Sequence, residues 1–189
     1  VGSEVARILC DDADRLGWQA GTKLNLVAVS AREERDRGFS MNGIAFERDA
    51  VSLAKRDDID IVVELIGGSD GVAFELCQTA LKTGKHVVSA NKAMIAHHGH
   101  ELAICAEEND IQLCFEAAVA GGIPAIKLLR EGLSANRIEQ VTGILNGTCN
   151  YILTEMTQTG RSFDDVLAEA QEKGYAEAEP SFDVDGIDA

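Results

Sequence analysis

The end of the chain carries a dense group of carboxylates. Residues 175–189 surround Pro180 and Gly186 with five acidic side chains and no basic one: Glu177, Glu179, Asp183, Asp185 and Asp188. Because like charges repel, the segment is either a solvated acidic tail or an acceptor for a cation such as a substrate ammonium, a metal ion or a lysine. The apolar side chains among them are spaced to pack on a core, which is unusual for a disordered tail and favours the acceptor.

Two loops farther upstream have the composition of ligand-binding turns. Residues 67–69 read Gly-Gly-Ser after the run IVVELI, and residues 89–92 read Ser-Ala-Asn-Lys after KHVV. Glycine lets a cofactor approach the backbone, and the next helix N-terminus can face it. Lys92 is either a charge or proton donor at the site or a solvated residue at a helix start. The residues expected to contact a cofactor are Gly67, Gly68, Ser89, Ala90, Asn91 and Lys92.

Alternating strands and helices must position these loops. Strands are predicted over 23–30, 59–66, 85–90 and 111–116, and helices over 71–82 and 100–108 lie between the last three. This alternation predicts βαβ units and an α/β fold with a Rossmann-like, doubly wound parallel sheet covered on both faces. Ligands bind at the carboxyl ends of the strands in such sheets, where both loops fall. We assign this domain to residues 1–116 and part of an α+β domain to 117–189.

Gly2 and Arg32 are candidate dinucleotide contacts. A helical pattern begins directly after Val1, so Gly2 is either the last glycine of a GxGxxG turn or only a helix cap. The strand over 23–30 is followed by Arg32 before any acid, and an arginine there accommodates a 2′-phosphate that an acid repels. This favours NADP(H), with NAD(H) as the alternative, unless Arg32 is only part of the charged surface run 32–37.

A run of small residues, AAVAGGIP, follows Glu116, and Pro124 is suited to open a helix through residue 133. Carbonyls in such a turn beside one carboxylate can ligate a hard cation, although tight backbone packing explains the same composition. Beyond it we predict a strand over 137–145, a turn over 146–148 and a helix over 149–157. A capping box at Ser162 begins another helix, which ends near Lys173.

The overall composition excludes several partners. A net charge of −15 argues against nucleic acid or an acidic membrane surface, and no apolar run approaches the roughly 18 residues of a membrane span. The five cysteines match no zinc or CxxC spacing and four lie in apolar runs, so we expect reduced core thiols in a cytoplasmic protein. His97, His98 and His100 fall at an expected helix boundary without a second ligand set, which argues against a metal.

Four ordered motifs carry a family resemblance: GKHVVSANKAMIAHHG (84–99), FEAAVAGGIPAIKLL (115–129), GILNGTCNYIL (143–153) and EKGYAEAEPSFDVDGIDA (172–189). They resemble homoserine dehydrogenase over essentially the whole chain, and the last two are family-specific. The resemblance implies an NAD(P)H-dependent oxidoreductase of threonine, methionine and isoleucine biosynthesis that interconverts aspartate 4-semialdehyde and L-homoserine. It also implies a dinucleotide-binding domain joined to an α+β domain for catalysis and dimerisation, hence a full-length homodimer.

The resemblance also implies residue roles. Lys92 matches a lysine between nicotinamide and substrate, and we assign Lys92 and Asp188 to catalysis. The residues that match the amino-acid pocket are Thr148, Tyr175, Glu177, Asp183 and Asp188. Those that match the ligands of a monovalent cation, sodium or potassium, held mainly by backbone oxygens, are Glu116, Val119, Gly121 and Ile123. An acidic pocket suits a substrate ammonium, and hydride addition to an aldehyde builds an alkoxide that needs a proton donor.

Parts of the family pattern are missing from these 189 residues. They are the first strand with half of the nucleotide turn and a second catalytic lysine beyond the GIDA stretch, so we interpret the chain as a fragment that is inactive by itself. Two other functions fit parts of the sequence. One is a non-catalytic NADP-binding sensor, and the other is a semialdehyde dehydrogenase with Cys149 as a thioester-forming nucleophile at a helix start. The latter leaves the acidic segment without a role.

Overall fold

The computed structural model of the protein describes residues 1–36, 38–176 and 180–186, without the side chain of Phe182. It consists of two compact units, Val1–Ser134 and Ala135–Ala189. The domain boundary expected after residue 116 stays a prediction. Within the described ranges, no helix combines the length and the apolar character that crossing a membrane requires.

The first unit contains two parallel sheets. β1 (Ala28–Ser30) pairs with β2 (Ala45–Glu47), and β3 (Ile61–Glu64), β4 (His86–Ser89) and β5 (Leu113–Cys114) form the second sheet in that order. The register of the second sheet places Val62 beside Val87 and Val87 beside Leu113. Every pairing is parallel, as the alternation of strands and helices predicts. The α/β class is confirmed.

Helices connect these strands. α1 (Gly2–Asp11) and α2 (Ala13–Ala20) precede β1, α3 (Ala50–Leu53) follows β2, α4 (Val72–Lys82) joins β3 to β4, and α5 (Lys92–Glu108) joins β4 to β5. After β5 come a 3-10 turn (Glu116–Ala118), α6 (Ala125–Lys127) and a π-helical turn (Leu128–Gly132). Since α4 and α5 return the chain to the same end of the sheet, the loops after β3 and β4 emerge side by side.

One face of the second sheet forms the core of the first unit. Side chains of its three strands pack there against buried residues of α4 and α5: Val62, Val87, Leu113, Leu76, Cys77, Leu81, Met94 and Leu102. The strand residues between them, Ile61, Val63 and Val88, are 47%, 41% and 37% exposed. The predicted parallel sheet is therefore present, with one face packed on helices and the other partly exposed in the part of the chain that is described.

The regular elements described in the second unit are helices. α7 (Gly147–Thr159) packs against α8 (Phe163–Glu172), and the short α9 (Ser181–Val184) contacts α7. The buried apolar residues described in this unit are Ile152, Val166, Ala170 and Ala176. The Ser162 hydroxyl accepts from the N–H of Asp165 (3.3 Å) and donates to its carboxylate (2.7 Å), so the predicted helix start at Ser162 is confirmed.

Several local predictions are wrong. The segment 137–145 forms no strand, and its residues Ile138, Val141 and Ile144 are exposed. An extended segment without a neighbouring strand gains no ladder hydrogen bonds, so β-branched residues alone do not create a strand. The strand expected over 23–30 is likewise reduced to its last three residues.

The cysteine and histidine predictions also need correction. All five cysteines are described, yet Cys77 is the only buried one, and Cys114 is exposed because it lies on the uncovered sheet face. The segment 97–100 lies inside α5 rather than at a helix boundary, because the side chain of Asn91 caps this helix more than a turn earlier.

Candidate functional site

The carboxyl ends of β3 and β4 are adjacent, because Glu64 and Ser89, their last residues, are register partners. Gly67 and Gly68 follow β3 with φ of 87° and 84°, and nothing lies within 4 Å of the Cβ position of either. A side chain would be strained in this left-handed conformation, and the open space leaves the backbone accessible to a ligand. The structure thus brings together the two loops that were expected to contact a cofactor.

Glu64 connects these two loops through hydrogen bonds, although the sequence did not predict it as a site residue. Its fully buried carboxylate accepts hydrogen bonds from the N–H groups of Ile66 (2.7 Å) and Gly67 (3.2 Å) and from the hydroxyl of Ser89 (2.6 Å). The N–H of Ala90 donates to the Glu64 carbonyl (3.3 Å). The available signal was an acid at the end of an otherwise apolar strand, IVVE. A buried carboxylate is costly unless it is hydrogen-bonded, so these contacts explain its presence.

Asn91 extends the connection to α5. Its N–H donates to Oγ of Ser89 (3.0 Å), its Nδ2 donates to the Gly68 carbonyl (2.8 Å), and its Oδ1 accepts from the N–H of Met94 (3.1 Å). Lys92 is the first residue of α5 and is exposed. The two loops are therefore held relative to the backbone that carries Lys92. The cofactor contacts of these loops and the catalytic role of Lys92 stay predictions.

Gly2 lies close to the same edge of the sheet. It is the first residue of α1, and a Cβ built on it would lie 3.9 Å from Cδ1 of Leu65. The N-terminus of α1, which is suited to an anion, thus adjoins the loop after β3. Arg32 is exposed, two residues beyond Ser30 at the end of β1. The cofactor contacts of Gly2 and Arg32 stay predictions.

The loop before α4 is also held from its outer side. The hydroxyl of Ser69 donates to Asp70 (2.5 Å), and Nε2 of His98 lies 2.8 Å from the other oxygen of Asp70. These contacts, the Ser69 hydrogen bond foremost, lower the pKa of the Asp70 carboxyl. The His98 ring packs on Phe74 with centroids 4.4 Å apart. His98 is therefore engaged in the protein, and no group of three metal-ligating side chains occurs among the residues that the structure describes.

Glu116, a candidate cation ligand, has another role in the described contacts. Both of its carboxylate oxygens accept backbone hydrogen bonds, from the N–H of Ile126 (3.0 Å) and of Lys127 (2.7 Å), so the side chain caps the start of α6. Gly121 has a left-handed φ of 61°, which bends the turn that follows. A cation there would be held mainly by backbone carbonyls. The predicted contributors stay Glu116, Val119, Gly121 and Ile123.

In the second unit, the start of α7 gathers three predicted substrate residues. Oδ1 of Asn146 accepts from the N–H of Cys149 (2.7 Å), and its Nδ2 donates to Oδ1 of Asp183 (2.7 Å). The hydroxyl of Thr148 donates to the carbonyl of Tyr175 (2.7 Å), and the Cys149 thiol donates to the carbonyl of Asp183 (3.0 Å). Thr148, Tyr175 and Asp183 therefore lie around one helix N-terminus, and the thiol of Cys149 is used in holding that arrangement.

Two members of the predicted substrate set, Glu177 and Asp188, lie outside the described residues, so their roles stay predictions. Asn146 is a contributor that the sequence did not reveal. The sequence predicted a turn over 146–148 before a helix, but the hydrogen bond from Asn146 to a carboxylate 37 residues later has no local signal.

A charged cluster supports Tyr175. Its ring meets the ring of Tyr151 edge to face with centroids 5.1 Å apart, and the Tyr151 hydroxyl donates to Glu169 (2.7 Å). Lys173 and Arg161 also donate to Glu169. Hydrogen bonds from Lys173, Arg161 and Tyr151, in that order, lower the pKa of the Glu169 carboxyl to about 2. The cluster fixes Tyr151 and so supports one side of the Tyr175 ring.

Comparison with known proteins matches both parts of the chain to one family. Residues 1–116 match the model described as homoserine dehydrogenase, NAD binding domain, and residues 124–189 match the model described as homoserine dehydrogenase. The homoserine dehydrogenase of Pseudomonas aeruginosa is 49% identical over the whole chain, which spans 43% of that protein.

Solved structures similar to this chain are also homoserine dehydrogenases. A homoserine dehydrogenase from Thiobacillus denitrificans has a TM-score of 0.84 at 46% identity, with all of this chain and 43% of that one covered. A hyperthermophilic archaeal homoserine dehydrogenase in complex with NADPH has a TM-score of 0.78 at 29% identity, with all of this chain and 62% of that one covered. The chain spans less than half the length of the curated relatives it matches. From the two family models and these relatives, the chain belongs to the homoserine dehydrogenase family.

Proposed function

We propose that the full-length protein is a homoserine dehydrogenase that interconverts aspartate 4-semialdehyde and L-homoserine with NADP(H). The main support is the edge formed by the loops after β3 and β4, where accessible glycine backbone lies beside the helix that begins with Lys92. The pathway would be threonine, methionine and isoleucine biosynthesis, in the cytoplasm. By the same family argument the active form is a homodimer, with a sodium or potassium ion in the turn after Glu116.

The residues at this edge fit a nicotinamide nucleotide. Gly67 and Gly68 present backbone without side chains, and Gly2 begins a ten-residue helix whose N-terminus favours a phosphate. Arg32 is available to pair with a 2′-phosphate, because its exposed guanidinium lies just past the end of β1. The archaeal relative in complex with NADPH is consistent with that choice of nucleotide.

The acidic segment fits an amino-acid substrate. Asp183, held by Asn146, would pair with the substrate ammonium together with Glu177 and Asp188. When bound, the cofactor supplies a hydride to the aldehyde carbon. The ammonium of Lys92 would oppose the negative charge that develops on the aldehyde oxygen, which takes up one proton to become the hydroxyl of homoserine.

The direct test is reduction of aspartate 4-semialdehyde by the purified full-length protein, followed by the loss of NADPH absorbance. Lys92→Met should lower kcat by about a hundredfold or more, in the range lost when a catalytic charge or proton donor is removed. Lys82→Met, which changes the lysine in the last turn of α4, is the matched control and should retain activity. Absence of turnover in the unaltered protein would refute the proposal.

The nucleotide preference is tested separately. Arg32→Asp should weaken NADPH binding by about 1–3 kcal/mol, through loss of a charge-assisted contact and addition of a repelling charge. Arg35→Asp makes the same charge change in the same exposed segment and should leave the NADPH affinity within about twofold. Equal efficiency with NADH and NADPH in the unaltered protein would show that Arg32 does not select the nucleotide.

A further inference from the structure

Three buried side chains form a continuous polar chain beneath the loops after β3 and β4. Glu64 accepts from Ser89, Ser89 accepts from the N–H of Asn91, and Asn91 donates to the carbonyl of Gly68, while the N–H of Gly67 donates back to Glu64. Glu64, Ser89 and Asn91 are 0%, 0% and 6% exposed. We refer to these three side chains as the Glu64 bridge. It closes a ring of hydrogen bonds across two adjacent strand ends.

We propose that Glu64 is a positioning residue that holds the two loops in the arrangement that receives the cofactor. The inference rests on the proposed function only in taking the ligand to be a nicotinamide nucleotide. Glu64 itself is fully buried, so it acts through the backbone of residues 66–68 and through Ser89 rather than by contact with the ligand.

The conformation of the glycine loop explains why such a support is needed. Gly67 and Gly68 have no side chains that could pack against the protein, and the space around their Cβ positions is open. Glycine also adopts many backbone conformations besides the left-handed one seen here, so nothing in these two residues themselves fixes the loop. The described hydrogen bonds to the backbone of Gly67 and Gly68 come from Glu64 and Asn91. A loop left mobile must be ordered when a ligand binds, which lowers the affinity.

The number of donors explains why the residue is a carboxylate. Two N–H groups converge on Oε1 and a hydroxyl on Oε2, and an ionised carboxylate offers acceptors on both oxygens. Glutamine has the same shape but one acceptor oxygen and an NH2 group. If the amide NH2 faces the two N–H groups, donors oppose donors; if it faces Ser89, the Ser89 hydroxyl must rotate to accept from it and loses Glu64 as the acceptor of its own hydrogen. Glu64→Gln therefore removes at least one hydrogen bond of the bridge in either orientation of the amide.

The experiment compares Glu64→Gln with Val62→Ala in the full-length protein. Val62 lies on the same strand and is buried in the apolar core, so its truncation lowers stability without touching the bridge. Glu64→Gln should raise the NADPH dissociation constant about tenfold, measured by nucleotide fluorescence, with a smaller change in kcat at saturating NADPH. Without nucleotide, the amides of Ile66 and Gly67 should exchange with deuterium at least about tenfold faster than in the unaltered protein. Val62→Ala should leave the dissociation constant within about twofold.

Each outcome decides a separate question. Unchanged NADPH affinity together with unchanged exchange at Ile66 and Gly67 in Glu64→Gln would overturn the positioning role. If Glu64→Gln does not fold, Ser89→Ala removes one link and should raise the dissociation constant about threefold, whereas no change would overturn the inference. Failure of the unaltered protein to bind NADPH would refute the proposed function, while the exchange measurement would still test whether Glu64 orders the loop.

Discussion

Replacing Asn146 with alanine removes the two hydrogen bonds described for its side chain, which act on different parts of the second unit. One is the cap, in which Oδ1 accepts from the N–H of Cys149 at the start of α7. The other runs from Nδ2 to the carboxylate of Asp183 and holds a residue of the proposed substrate pocket. We therefore expect Asn146→Ala to lower both the stability of the fold and the affinity for the amino-acid substrate.

The two losses differ in size and can be separated. Loss of a helix N-cap costs about 0.5–2 kcal/mol, and a hydrogen bond to a charged group contributes about 1.5–3 kcal/mol. Asp183 is half-buried, so the lower end applies to its contact and the total for Asn146→Ala is about 2–3 kcal/mol. Asn146→Ser keeps a good N-cap but is too short to reach Asp183, so it should cost about 1.5 kcal/mol.

The assay is urea unfolding together with steady-state kinetics on the full-length protein. Both variants should raise the KM for aspartate 4-semialdehyde by about five- to tenfold, because both release Asp183, and Asn146→Ala should unfold at lower urea than Asn146→Ser. An unaltered KM in both variants would refute the link between Asn146 and the substrate. Equal unfolding midpoints for the two variants would refute the role assigned to the cap.

Three further predictions concern the packing and charge of the two units. Hydrogen bonds, the one from Lys173 foremost, lower the pKa of Glu169 from 4.5 to about 2. The stability that they contribute is therefore complete above about pH 4.5 and is lost as the pH falls toward 2, so Glu169→Gln should make the melting temperature less dependent on pH in this range. Met94→Ala on the buried face of α5 should destabilise the fold by about 2–5 kcal/mol in urea unfolding, whereas Met94→Leu should cost less than about 1.5 kcal/mol. Burial, with a smaller effect of a nearby carboxylate, raises the pKa of the Cys77 thiol to about 12, so in the native protein a disulfide reagent should label the exposed Cys114 and spare Cys77, and rapid native labelling of Cys77 would contradict this assignment of burial.

Many of the strands, turns and helix starts could be predicted from the sequence because the patterns that indicate them are local. The alternation of apolar runs with helical patterns predicted parallel strands, and the structure has β3, β4 and β5 within the expected ranges. Ser162 predicted a helix start because capping depends on residues three apart. The glycines at 67 and 68 predicted a turn that other residues cannot adopt without strain. The motifs predicted the family, since each occupies one short continuous segment.

Contacts between distant residues were decided by the tertiary structure alone. Glu64 meets Ser89 over 25 positions because the register of β3 and β4 places the two strand ends together, and Asn146 meets Asp183 over 37 positions because α9 contacts α7. The segment 137–145 shows the converse, since its apolar side chains find no neighbouring strand in the described residues and remain exposed. Local patterns depend on the chemistry of neighbouring residues, whereas burial and hydrogen-bond partners depend on which distant segments pack together.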